Sequence, residues 1–319
     1  MTAGNLRPSG SEDVSMKRNF PAMTSHPDLP PAEEMISPLP FERPSRRSFI
    51  GGAGAGVAAG YTLAAGPVMA QTIVTTDTDG LVAGDIMIPV SDRPIPGYRA
   101  RPASGSNWPI VVVCQEIFGL HEYIKDVCRR LAKQGYLAVA PDYYVRQGDP
   151  KNAENQQAAA AIAMRKPDDE LNGDLDATCA WAASDGGNAD KLAIIGFCRG
   201  GRNVWEYSAQ NPRLKAGVAF YGPVGGQPSA ITPRTILQIV PDIKCPILGL
   251  YGEADTGISV ESLRQIETAM QAAGKPFTLV IYPGAPHGFH ADYRPSYRRE
   301  AAEDGWRRML EFLKANGVG

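Results

Sequence analysis

From residue 85 onward the chain alternates short β-branched runs with stretches of helical spacing. Residues 85–90 read as a first strand, and Ile110-Val111-Val112-Val113-Cys114 is apolar at every position, the pattern of a strand covered on both faces. In 124–135, Ile124, Val127, Cys128 and Leu131 recur at i, i+3, i+4 and i+7, and Gly135 stands where a helix C-terminal glycine belongs. Further strands are predicted at 136–140, 192–197, 216–220, 247–251 and 277–282, and further helices at 152–164, 168–183, 259–273 and 296–315. The repeated strand-then-helix order implies an α/β fold, a mostly parallel central sheet with helices on both faces, in a single domain spanning 71–319. In such sheets the chemistry sits at the strands' carboxyl ends.

The first 44 residues are rich in Pro, Ser and Glu, show no apolar period and read as disordered. Ser45-Arg46-Arg47-Ser48-Phe49-Ile50 then precedes an uncharged Gly/Ala-rich stretch, 51–66, and a small-x-small ending at Val68-Met69-Ala70. This order looks like a twin-arginine export signal, so residues 45–70 are expected to engage the twin-arginine export machinery, with cleavage after Ala70. The mature protein is then periplasmic or secreted, with no stable membrane insertion after cleavage. An uncleaved anchor is the competing reading, but the many Gly and Ala make the stretch less apolar than a stable span. Gly54-Ala55-Gly56-Val57-Ala58-Ala59 fits a dinucleotide-binding pattern by spacing alone, since no strand precedes it and no acidic residue closes a βαβ unit behind it.

Composition adds exclusions. The 319 residues are 43% hydrophobic and 21% charged, a globular balance. Lys and Arg number 32 against 34 Asp and Glu, a formal charge of -2, which lacks the basic footprint that nucleic acid requires. Five Cys without a C-x-x-C pair do not make a disulfide scaffold, and the odd number leaves at least one thiol free.

Leu192-Ala193-Ile194-Ile195-Gly196-Phe197-Cys198-Arg199-Gly200-Gly201 runs a strand into G-x-C-x-G-G and then a helix pattern, a nucleophile elbow with Cys in place of Ser. A side chain at Gly196 or Gly200 would collide with the neighbouring strand or helix, and the helix N-terminus behind Cys198 favours a thiolate and an oxyanion. Asp255 follows the strand at 247–251 and His287 the strand at 277–282, so nucleophile, acid and histidine come in α/β-hydrolase order. Glu253 and Asp242 are substitute acids. His121 lies near a helix start and suits a surface or capping role, while His290 forms an H-x-x-H pair with His287 that lacks a third ligand, so no metal is expected. Glu116, in Cys114-Gln115-Glu116-Ile117-Phe118-Gly119 at an early strand's end, needs a partner if buried. The Cys198 thiol is within reach, and Arg199 or Arg202 are alternative partners. Tyr143, Tyr144 and Tyr221 follow strands and are candidates for lining a pocket.

Gln115-Glu116-Ile117-Phe118-Gly119, Ala140-Pro141-Asp142, Gly196-Phe197-Cys198-Arg199-Gly200-Gly201, Tyr251-Gly252-Glu253-Ala254-Asp255 and His287-Gly288-Phe289 together resemble the dienelactone hydrolase family across nearly all of 80–315. The tail from His290 to Tyr297 resembles its exported branch. The resemblance implies an α/β-hydrolase fold and an enzyme without a cofactor that opens lactone or ester bonds in a small-molecule substrate. It implies Cys198 as nucleophile, His287 as base, Asp255 as its acid and Glu116 as acceptor of the thiol proton, with backbone N–H groups of Ile117 and Arg199 as oxyanion donors. Family members that act on dienelactone hold its carboxylate with arginines, one a few residues past the histidine. The aligned position here is Ala291, with Arg294 further along and Arg146 or Arg165 as substitutes. Tyr143 and Arg294 are the candidate substrate-binding side chains. A competing reading makes the elbow cysteine a redox or ligand-binding thiol on a scaffold without turnover. A binding module has no need of Cys198, Asp255, His287 and Glu116 at once.

Overall fold

The structure, a computed structural model, describes Met1 and residues 75–319. The expected disorder of 1–44, the export signal at 45–70 and the cleavage after Ala70 lie outside the described residues.

Eight strands form one sheet: β1 (Leu81–Pro89), β2 (Pro94–Pro102), β3 (Trp108–Cys114), β4 (Leu137–Pro141), β5 (Gly187–Phe197), β6 (Leu214–Phe220), β7 (Ile247–Gly252) and β8 (Phe277–Tyr282). Their order is β1-β2-β4-β3-β5-β6-β7-β8. β1 pairs antiparallel with β2, and β2 with β4; every later pairing is parallel. The described helices are α1 (Glu122–Lys133), α2 (Gln156–Ala163), α3 (Asp168–Ser184), α4 (Arg199–Gln210), α5 (Ile236–Ile239), α6 (Val260–Ala272) and α7 (Arg299–Ala315). This is the α/β-hydrolase fold, as the alternating pattern and the elbow motif led us to expect.

One strand was not anticipated. Pro94, Pro96 and Pro102 interrupt the alternation of β2 and supply no ladder donors. They are tolerated because only the four residues between them, Gly97 to Ala100, pair with β4, while the prolines face β1 at the sheet margin.

The core follows from the apolar runs. Ile110 to Cys114 of β3 and all of β4 are buried, as are Leu192 to Phe197 of β5 and all of β7. α1 turns Ile124, Val127, Cys128 and Leu131 inward, the four positions its period selected. The strand order reverses at β3: the chain goes from β3 out to β4, then returns to β5 on the other side. A crevice therefore opens beyond the carboxyl ends of β3 and β5, the place where open α/β sheets bind ligands. Glu116 follows the first strand and Cys198 the second.

Ile194 pairs with Val112 and Gly217 at the centre of the sheet and is fully buried. Ile194→Ala should lower the unfolding free energy by about 3 kcal/mol, through lost burial and a cavity, in urea titrations followed by circular dichroism.

Candidate active site

Cys198 joins β5 to α4 with φ 57° and ψ -123°, a conformation that costs a non-glycine residue roughly 1–3 kcal/mol. Its neighbours hold it there. The Cys198 N–H donates to the Phe220 carbonyl at 3.0 Å, and its carbonyl accepts from Gly201 N–H at 2.9 Å and Arg202 N–H at 3.3 Å. A Cβ on Gly196 would lie 2.1 Å from the Gly200 carbonyl oxygen, and one on Gly200 would lie 2.2 Å from that of Cys114. Only glycine lets the helix start this close to two strand ends.

A second close approach joins the acid loop to the histidine loop. A Cβ on Gly252 would sit 2.1 Å from the Ala285 carbonyl oxygen, and the Ala254 N–H donates to that carbonyl at 3.0 Å. Asp255 Oδ2 and His287 Nδ1 are thereby brought to 2.7 Å, with both side chains buried, while Asp255 Oδ1 accepts from the Gly257 N–H at 2.8 Å. Burial works against a charged His287, but the adjoining Cys198, to which it hydrogen-bonds, and Asp255 outweigh it, so its pKa is raised. Cys198, His287 and Asp255 therefore form one contiguous buried run.

Glu116 stands in a cluster of its own. Its Oε2 accepts from the Tyr293 hydroxyl at 2.7 Å and contacts His121 Nε2 at 3.2 Å, with Arg294 Nη2 at 3.9 Å; Oε1 has no partner. Burial would raise its pKa, yet Arg294, then His121 and Tyr293, bring it down to about 2, so the carboxylate is ionised. Arg294 is itself buried, with its guanidinium 4.6 Å from the Phe118 ring centre. The alternative partners are engaged elsewhere, since Arg202 and Arg199 face Glu206 at 2.8 and 3.6 Å.

The remaining candidates separate cleanly. The Ile117 N–H, just past β3, donates to no described residue. Tyr143, a candidate substrate-binding side chain, is buried, and its hydroxyl donates to the Gln115 carbonyl at 3.1 Å and accepts from Asn203 Nδ2 at 3.0 Å. Its neighbour Tyr144 has a buried hydroxyl without a well-formed hydrogen bond and lies within electrostatic range of Cys198 and Arg199. Asp242 pairs with Arg234, and Glu253 accepts from the Gly284 N–H, so neither substitute acid reaches His287. Arg146 is held by Asp92 and Asp174, and Arg165 by the Gln147 carbonyl. Sequence reasoning missed Tyr293 and misjudged His121, which occupies the N-cap position of α1 but makes no cap bond and turns to Glu116 instead. The signal available was the buried carboxylate's need for partners. Among the described residues no group of three His, Cys, Asp or Glu is arranged to hold a metal.

Sheet order and the strained residue at the β5–α4 turn define an α/β hydrolase. The model of the dienelactone hydrolase family matches residues 95–317. A Methylorubrum extorquens protein provisionally named carboxymethylenebutenolidase is 49% identical over 276 residues, 86% of this chain and 94% of its own. An Escherichia coli protein of the same provisional name is 46% identical over 260 residues, 81% of this chain and 96% of its own. The crystal structure of a Klebsiella pneumoniae protein, provisionally named a dienelactone hydrolase, superposes with a TM-score of 0.72 at 45% identity, covering 73% of this chain and 98% of that one. The chain belongs to the dienelactone hydrolase family and is a lactone or ester hydrolase.

Two outcomes follow from the Glu116 cluster. Because its folded pKa lies below the ordinary value of 4.5, its contribution to stability is present above that value and is lost as pH falls toward about 2. Unfolding curves between those limits should therefore be flatter in pH for Glu116→Gln than for the parent. Arg294→Met leaves the carboxylate buried without its main counter-charge and should cost about 3–5 kcal/mol near neutral pH, measured by urea unfolding.

Proposed function

We propose that this hydrolase works by acyl transfer to Cys198, with His287 as base and Asp255 as the acid that orients it. The observation that carries this reading is the buried run of Asp255, His287 and Cys198 beneath a strained elbow. His287 removes the thiol proton, and the thiolate attacks the ester or lactone carbonyl. The oxyanion faces the backbone N–H groups of Ile117 and Arg199, the second lying at the N-terminus of α4. Collapse gives a thioester, the imidazolium protonates the departing alkoxide or enolate, and His287 then activates the water that hydrolyses the thioester. Glu116, ionised and with Oε1 unpartnered, is a second acceptor for the thiol proton when substrate displaces its neighbours.

The substrate class we propose is an ester or lactone bearing a carboxylate, held by Arg294. None of the five cysteines forms a disulfide, and burial raises the pKa of Cys114, Cys128, Cys179 and Cys245, which makes them poor nucleophiles. We further propose export by the twin-arginine pathway to the periplasm or beyond. Removing 1–70 would take away no described element, since β1 begins at Leu81.

Purified residues 71–319 should hydrolyse dienelactone and p-nitrophenyl acetate, and Cys198→Ala should lose at least about a thousandfold in turnover of both. Undiminished hydrolysis by that variant overturns the nucleophile, and absence of parent turnover on both substrates favours the non-catalytic thiol. Mass spectrometry of the exported protein should find Gln71 at its N-terminus.

A further inference from the structure

The strained and unsatisfied groups around Cys198 converge on one residue that the proposed acyl transfer does not use. Tyr221 follows β6 with φ 38°, in a region that bulky residues avoid. Its ring is fully buried, edge-on to His287 with centroids 5.1 Å apart, and its N–H donates to the Leu250 carbonyl at 2.8 Å. Its hydroxyl is buried without a well-formed hydrogen bond, close to the hydroxyl of Tyr123 and within electrostatic range of Glu116, Arg294 and Cys198. Buried hydroxyls nearly always place their proton on an acceptor, so one with no well-formed acceptor, on a strained backbone, marks a place where a ligand completes the bonding.

Behind Tyr221 stands a second pair. Tyr123 Oη and His290 Nδ1 are 2.5 Å apart, both side chains buried. The His290 ring stacks on Trp306 at 5.8 Å, which fixes its orientation. His290 also lines a cavity of about 300 Å³ with Arg130, Tyr297, Glu303 and Trp306. Arg130 is held there by Asp126 and Asp292, each at 2.5 Å. Burial and the Arg130 charge lower the His290 pKa to about 3, and burial raises that of Tyr123 well above its ordinary value, so both groups are neutral. In the tautomer with a proton on Nδ1, His290 donates to Tyr123, whose own proton has two acceptors in reach, the His290 carbonyl at 3.4 Å and the Tyr221 hydroxyl; when Tyr221 takes it, the Tyr221 proton is left for a bound ligand.

We propose that Tyr221 is a substrate-binding donor that, together with Arg294, receives the substrate carboxylate, and that Tyr123 and His290 are positioning residues that aim its proton. The inference rests on the proposed hydrolysis at Cys198. A chain of hydroxyls donating in one direction makes its last member a stronger donor, and a neutral phenol beside a guanidinium suits a carboxylate better than a second carboxylate would.

The test compares kcat and KM for dienelactone, which carries a carboxylate, with those for neutral p-nitrophenyl acetate. Tyr221→Phe should raise KM for dienelactone about tenfold more than it changes that for the neutral ester, the loss expected for one hydrogen bond to a charged group. Tyr123→Phe and His290→Ala should each show a smaller change of the same kind, and neither should add to Tyr221→Phe in the double variant. Imidazole should restore His290→Ala by filling the vacated place beside Trp306. Equal losses on both substrates, or additive losses in the double variants, overturn the proposal and assign these rings to packing. Hydrolysis retained by Cys198→Ala overturns the underlying reading instead, and so is told apart from failure here.

Discussion

Backbone lies directly on backbone where β3, β5 and β6 end, and the position of every group in the site depends on that contact. Gly200 fits α4 against the carbonyl of Cys114 at the end of β3, and Gly196 fits β5 against the same helix turn. A Cβ on Gly201 would lie 2.7 Å from the Cα of Gly222, just past β6. With no side chain between these elements, there is little slack for Cys198 to relax from φ 57°, and its N–H and carbonyl are both committed to hydrogen bonds that require that turn. The strain is local, whereas the three packed strand ends that oppose its release are part of the core. Any side chain inserted at this junction would separate the loop carrying Glu116 from the elbow as well as disturb the elbow itself.

Two buried carboxylates then face different environments a short distance apart. Asp255 is matched by one imidazole and one backbone N–H, a pairing that fixes a ring orientation. Glu116 is matched by a guanidinium, a phenol and a second imidazole, which fix a charge. Burying either without its partners would cost more than the surrounding contacts return, so each loop is tied to the other through the ionic groups it must satisfy. Tyr221 is near both clusters, its ring against His287 and its hydroxyl within electrostatic range of Glu116 and Arg294.

Much of this was legible in the sequence, for reasons that also explain what was not. The apolar runs of β3 to β7 announce buried parallel strands and that of β8 a partly exposed edge strand, and G-x-C-x-G-G, Asp255 and His287 each stand shortly beyond a strand, where local pattern alone fixes position. β2 was hidden because its pairing with β4 spans four residues between prolines. Tyr143 and Tyr144 are adjacent on one turn, and only their three-dimensional neighbours decide which hydroxyl is spent on the Gln115 carbonyl. The need of Glu116 for partners was readable, but their identity was not, because Tyr293 and Arg294 lie 177 and 178 residues away along the chain and arrive through the coil after β8.

That coil also sets where Arg294 leaves the backbone. Successive bonds run from the Ala291 N–H to the Gly288 carbonyl, from Arg294 to Ala291 and from Tyr297 to Arg294, each spanning three residues at 3.0 to 3.1 Å. In a coil of three residues per turn, positions i and i+3 project on the same side. Arg294 therefore stands one turn beyond Ala291, and both residues are buried. Gly288, at φ 74°, starts this coil directly after His287, and Ser296 Oγ closes it by donating to the Gly288 carbonyl at 3.2 Å.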